Sequence, residues 1–186
     1  ITEAKNFLII TKQAYINAIS IYTQWRNSVG DTVAVKTVQS IESFSGNELS
    51  DKIRNFIIFT NSITKFDYLL LIGSYNDIPA KEVQPAYNIS LQYSGVWNVK
   101  FYTDHYYADL TGNWDSNGNG IYGEYPDDNV SFSTDILVGR IPFESDFLIK
   151  DYLRRVILFN QDTRAYKNKA ILSAAILFFE NEDEIS

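Results

Sequence analysis

Tyr68-Leu69-Leu70-Leu71-Ile72-Gly73-Ser74 is the stretch that decides the fold. Five apolar residues without polar alternation describe a strand buried on both faces, and the Gly-Ser pair closes it. Phe7 to Ile10 has the same character. Between the two lie a helical face of Tyr15, Ala18, Ile19 and Tyr22, with Thr11 as its expected cap and Gly30 as its stop. An alternating β-branched run follows from Thr32 to Val38. A second helix comes next, with Asn47 as cap and Leu49, Ile53, Phe56 and Ile57 on one face. Strand, helix, strand, helix, strand at this spacing predicts a parallel sheet with right-handed crossovers.

Downstream the pattern breaks. Pro79 and Pro85 punctuate turns, and Asn88 to Tyr102 alternates loosely with aromatics, which predicts a hairpin-like excursion. Asp135 to Val138 reads as a returning core strand with Gly139 to Pro142 as its exit. Ser145 is then placed to cap a third helix carrying Ile149, Leu153, Val156 and Ile157. Ala170 to Phe179 is a last strand and runs into the acidic residues Glu180 to Glu184. The fold class is therefore α/β, a three-layer sandwich around a mostly parallel sheet.

Composition narrows the function. The 186 residues are 45% hydrophobic with 12 Phe, 13 Tyr and 3 Trp, enough for a packed core. The longest largely apolar run, Ala170 to Phe179, is too short to span a bilayer. With a net charge of -7 and no basic stripe, nucleic acid is not an expected partner. Cysteine is absent, which removes disulfides, Cys-ligated zinc and any thiol nucleophile from these residues. A sequence that starts at Ile1 and lacks Met is expected to be a processed product or an excised fragment. The sequons Asn88-Ile89-Ser90 and Asn129-Val130-Ser131 agree with an extracellular or cell-surface location.

The charge is concentrated. No Lys or Arg occurs between Lys100 and Arg140, whereas seven of the 23 acidic residues do, leaving 16 against 16 elsewhere. Within this region Asp115, Asn117 and Asn119 offer side-chain oxygens at every second position, and Gly120 permits the turn. That is how a loop wraps Ca²⁺ in hard oxygen donors. Two registers fit. In the first, Asp115, Asn117 and Asn119 are joined by the Ile121 carbonyl and by Glu124 folding back. In the second, Asn113 opens the loop and Glu124 closes it at the twelfth position, as in an EF-hand. Clear flanking helices are missing, and the Asn-Gly pairs favour tight turns, so the first is preferred. The expected cofactor is a structural Ca²⁺ of modest affinity, because few of the ligands are charged.

Several residues read more simply. His105 has no Gly-x-Ser-x-Gly elbow to serve and is expected to be an ordinary packed residue. Gly118-Asn119-Gly120 is not a phosphate loop, since carboxylates surround it and no Lys-Ser/Thr follows. Arg140 is expected to form a structural ion pair. Glu180 to Glu184 follow a strand end, where α/β proteins bind ligands, yet a solvated acidic tail accounts for the same residues.

Five pieces in order resemble the gingipain-type cysteine peptidases of the caspase-like clan. They are the opening strand and helix with Trp25; Tyr68 to Gly73 followed by Asp77-Ile78-Pro79; Thr103-Asp104 with Tyr106-Tyr107-Ala108-Asp109; Gly112-Asn113-Trp114-Asp115; and Val138 to Pro142. The resemblance implies a secreted endopeptidase of two adjoining α/β subdomains, stabilised in several members by calcium; residues 1–165, including the acidic loop at 103–128, would be the first subdomain and residues 166–186 would open the second. It also implies a catalytic His, usually in a His-Gly pair, and a later Cys. Neither can be placed here: there is no Cys, and His105 does not lie where the family's catalytic His does. No catalytic residue is assigned. The resemblance implies an N-terminal chain, with protein or peptide substrates and a following chain or segment that carries the His and Cys.

Overall fold

The computed structural model describes residues 4–84, 89–90, 96–97 and 100–169. The expected last strand, the acidic residues Glu180 to Glu184 and the sequon at Asn88 lie outside the described residues. In chain order the elements are β1 (Asn6–Thr11), α1 (Ile16–Ser28), β2 (Thr32–Thr37), α2 (Val38–Ile41), α3 (Leu49–Ile63) and β3 (Tyr68–Ile72). There follow β4 (Lys81–Val83), β5 (Ile89–Ser90), β6 (Val96–Trp97), β7 (Phe101–Thr103), α4 (His105–Ala108), β8 (Leu137–Ile141) and α5 (Asp146–Gln161).

Four strands form one parallel sheet in the order β2-β1-β3-β8. The unbroken apolar runs occupy its centre, where Ile9 lies opposite Val35 on one side and Leu70 on the other. Alternate residues then feed two cores. Leu8, Ile10, Leu69 and Leu71 pack against Ile53, Phe56 and Ile57 of α3 and against Tyr106, Tyr107 and Trp114. Ile9 and Ile72 face the other way, onto Ala18, Ile19 and Tyr22 of α1 and Ile149, Leu153 and Ile157 of α5. Helix, sheet and helix pair make three layers, and each helix buries the stripe its sequence spacing marks out.

The caps and one strand boundary differ from expectation. Thr11 does not cap α1. It ends β1, and its hydroxyl donates to the Ile72 carbonyl at 2.8 Å, because the register places it beside that residue. A 3₁₀ turn over Gln13–Tyr15 leads into α1 instead. Glu48, not Asn47, is the N-cap of α3, and its backbone N–H donates to Asp51 at 3.3 Å. The strand expected at Asp135 to Val138 starts at Leu137, since the N–H groups of Asp135 and Ile136 are already turned to the Ala108 carbonyl at the end of α4. Gly139 and Arg140 are therefore ladder residues, not the strand's exit.

Between β3 and β8 the chain leaves the parallel sheet. β4 pairs antiparallel with β7, and β5 with β6, so the excursion is built from short antiparallel pairs. The loop from Asp109 to Ser131 follows α4. Its ends are joined by the paired backbones of Asn113 and Asn129.

The core assignment carries a direct test. Leu71→Ala, at a site without exposure, is expected to cost about 2–5 kcal/mol. Leu137→Ala, half-exposed on β8 at the end of the sheet among the described residues, is expected to cost less than about 1 kcal/mol. Urea denaturation of the two variants checks the difference, and equal costs would contradict the layer assignment.

Candidate functional site

The root of the acidic loop is the Asp109 carboxylate, which is 0% exposed. It accepts hydrogen bonds from the backbone N–H groups of Thr111 (3.2 Å), Gly112 (2.7 Å) and Ser131 (2.9 Å) and from the Trp114 indole N–H (3.0 Å). A side chain at position 112 is excluded, because a Cβ there would lie 2.1 Å from the carboxylate. From α3, Arg54 donates to the carbonyls of Asp109 and Gly112 at 2.8 and 2.9 Å. In the sequence Asp109 stands out as part of the charge and of the Tyr106-Tyr107-Ala108-Asp109 stretch, without this structural role.

Of the residues expected to hold a cation, the structure brings three together. Asn119 donates to Glu124 Oε2 at 2.6 Å, and Asn117 approaches the same oxygen at 3.5 Å. Asp115 is turned aside, with both carboxylate oxygens on the Gly120 N–H at 3.2 and 3.3 Å. Ile121 donates its N–H to Asn119 Oδ1 at 2.7 Å. Asp128 clasps the same turn by accepting from Ser116 N–H (2.7 Å) and Glu124 N–H (2.9 Å).

Glu124 is only 4% exposed, and among the described residues it has no Lys or Arg partner. A buried carboxylate held by neutral amides fits a hard cation, since half a turn of each amide replaces its N–H donor with an oxygen donor. Among the described residues no group of three His, Asp or Glu side chains is arranged as a metal cluster. A cation here would depend on amide and backbone oxygens beside the single Glu124 carboxylate.

Beside Glu124 opens a cavity of ≈ 200 Å³ whose walls include Val83, Phe101, Trp114 and Phe132. His105 lines it, donating from Nε2 to the Ser131 carbonyl at 2.7 Å and standing edge-on to Trp114. The described contacts of its ring are this carbonyl and the Trp114 ring.

Arg140 forms the ion pair that the sequence suggests. Its guanidinium meets Asp104 bidentately at 2.7 Å for both bonds and also donates to the Ile78 and Gly73 carbonyls at 2.9 and 3.3 Å.

A second cluster, missed in the sequence, sits at the carboxyl ends of β1, β3 and β8. Asp77 accepts from Lys12 Nζ at 2.9 Å and from the Tyr15 hydroxyl at 3.0 Å. Glu144 accepts from Asn76 Nδ2 at 3.1 Å, and its carbonyl lies 3.1 Å from the Tyr15 hydroxyl. Each of these residues follows a parallel strand closely, so the rule that α/β sheets bind ligands at strand carboxyl ends could have found them.

The model of peptidase family C25 matches residues 2–184. The chain belongs to peptidase family C25. This is the gingipain family, and solved structures agree on the fold. The chain is similar to a structure described as a complex of Porphyromonas gingivalis RgpB pro- and mature domains, with 21% identity and a TM-score of 0.56 over 82% of this chain. It is similar also to the Arg specific cysteine proteinase gingipain R, with 21% identity and a TM-score of 0.55 over 84%. At such identity the likeness establishes the fold alone. The chain spans 28% of the length of either structure. Comparison with curated proteins gives no match.

In the strand-end cluster of this C25 chain, the charge of Asp77 is held by its neighbours. Burial works to raise the Asp77 pKa, but the hydrogen bonds from Lys12 and Tyr15 outweigh it and hold the carboxyl below its ordinary value of 3.8. A folded-state pKa below the unfolded one stabilises the protein fully above the unfolded value, and that contribution is lost as pH falls through the folded one. Asp77→Asn is therefore expected to be less stable than the parent near neutrality, with the gap closing below about pH 4. Urea titrations across pH check it, and a gap that ignores pH would show that the charge of Asp77 contributes nothing.

Proposed function

We propose that this chain is the N-terminal part of a secreted, calcium-stabilised, gingipain-like cysteine endopeptidase, with the catalytic His and Cys on a following chain or segment. One observation carries the reading: a C25 family match over residues 2–184 in a sequence without cysteine. In such an enzyme a thiolate attacks the scissile carbonyl, a His moves the proton, and backbone amides hold the oxyanion. The described residues contribute the sheet that orients the site, the strand-end cluster around Asp77 and Glu144, and the acidic loop.

Calcium is assigned a structural role at Asn117, Asn119 and Glu124, with Asp115 and the Ile121 carbonyl completing the shell when the loop tightens. Support comes from the buried Glu124, which has no Lys or Arg partner among the described residues, and from the two Asn side chains beside it, whose amides can each turn an oxygen toward a cation. An extracellular location fits a loop of this kind, because weak calcium sites fill at the millimolar calcium found outside cells. The absence of cysteine also fits a second reading, a non-catalytic, calcium-stabilised module of a cell-surface protein.

Denaturing gels, intact mass and sequencing of native material separate the two. A co-purifying polypeptide or a continuous segment bearing His and Cys, labelled by a thiol reagent with loss of peptidase activity, is expected. A species without any such Cys would overturn the peptidase role of this molecule. In that active material His105→Ala is expected to retain activity, whereas losing a general base costs about 10²–10⁴-fold. For the metal, chelation is expected to lower the melting temperature of the parent and to leave Glu124→Gln unmoved. A parent melt unaffected by chelator would remove the calcium assignment.

A further inference from the structure

Asn117-Gly118 and Asn119-Gly120 are the only Asn-Gly pairs in the sequence, and both lie on the acidic loop. Such pairs are chemically labile, because a glycine offers an unhindered backbone nitrogen to the amide carbon of the preceding side chain. The structure treats the two pairs differently. Gly118 has open space where a Cβ would stand, and among the described residues no acceptor holds its N–H. Gly120 also has open space, but its N–H is fixed by both oxygens of Asp115 at 3.2 and 3.3 Å.

The amide groups differ too. Asn119 Nδ2 is bound to Glu124 at 2.6 Å, whereas Asn117 Nδ2 reaches the same oxygen only at 3.5 Å. Each Asn Oδ1 accepts a backbone N–H two residues on, from Asn119 at 3.0 Å and from Ile121 at 2.7 Å. A donor at that oxygen stabilises the negative charge that develops when the amide carbon is attacked. Both side chains therefore possess an oxyanion donor. Only Asn117 combines it with an uncommitted nucleophile and a weakly held leaving group.

We propose that Asn117 is a site of spontaneous deamidation and that Asn119, two residues away, is protected by Asp115 and Glu124. Hydroxide removes the Gly118 amide proton, and the nitrogen attacks Asn117 Cγ. A C–N bond forms, the Cγ–Nδ2 bond breaks, and ammonia leaves with a proton from water. Water then opens the cyclic imide at either carbonyl, giving an aspartyl or isoaspartyl residue at position 117. The reaction places a second carboxylate beside Glu124, where the parent has an amide donor. The two like charges repel, and the loop comes to depend more on a cation.

The test is peptide mapping by mass spectrometry after ageing the full chain in mildly alkaline buffer, with chelator present so that the outcome is independent of metal occupancy. Position 117 is expected to gain one dalton at least about tenfold faster than position 119, a barrier difference of about 1.4 kcal/mol. In denaturant the two rates are expected to converge, and Asp115→Ala is expected to speed conversion at Asn119 with the fold retained by circular dichroism. Equal rates in the folded chain, or faster conversion at Asn119, would overturn the proposal.

Discussion

A fully buried carboxylate, without a cationic partner among the described residues, governs the part of the molecule that departs from a simple parallel α/β fold. Removing an ion from water is costly unless directed donors replace the solvent, and Asp109 has four. Three are backbone amides from both ends of the loop, so satisfying the charge and closing the loop are one event. Closing a loop of this length carries an entropic cost that grows only slowly with residue number. A single well-placed anion therefore holds a long segment in place. Gly112 is part of the same constraint, since only a residue without Cβ lets the carboxylate approach. Arg54 completes it from α3 by taking the carbonyls that the turn exposes.

Two further buried ions tie this excursion to α3 and to the sheet. Lys81 in β4 is 1% exposed. It pairs with Asp51 at 2.7 Å and with Glu48, and its ammonium lies 3.3 Å from the centre of the Tyr122 ring. Tyr106 donates to the same Asp51 at 2.9 Å, and burial next to that carboxylate pushes its phenol well above the ordinary value. Arg140, 7% exposed, joins β8 to Asp104 ahead of α4 and to carbonyls after β3. Pairs of this kind add little net stability over apolar packing, but breaking one leaves a buried charge, at a cost of about 3–5 kcal/mol. Their contribution is geometric: each accepts one arrangement of β4, α4 and β8.

Periodicity made the sheet and helices legible because burial repeats with the element. Phe7 to Ile10 and Tyr68 to Ile72 read as two-sided strands, and Ile53, Phe56 and Ile57 read as a buried stripe. Caps were less legible, because Thr11 and Asn47 are good caps by type while the outcome depends on register and on neighbours such as Asp51. The start of β8 was hidden for a related reason: Ile136 is buried like a strand residue, but its backbone belongs to the end of α4. In the loop, the convergence of Asn117, Asn119 and Glu124 followed from spacing. The position of Asp115 did not, since a free glycine N–H nearby attracts it. The cluster of Lys12, Tyr15, Asp77 and Glu144 could not come from local spacing, because its members are brought together only by the parallel sheet.

The same sheet separates the acidic loop from the strand-end cluster. Asp104 precedes α4 and meets Arg140 near the carboxyl ends of β3 and β8. Ala108, at the other end of α4, holds Asp135 and Ile136 just before β8 begins. α4 thus runs back along the strands, and the acidic loop is rooted toward their amino-terminal ends. Ligand chemistry in parallel α/β sheets belongs to the opposite, carboxyl ends, where Asp77 and Glu144 lie. A cation held at Asn117, Asn119 and Glu124, as proposed, would act on the excursion and the core behind Trp114. Its loss would reach the strand-end cluster only through folding, so activity and stability should fall together on chelation and not one without the other.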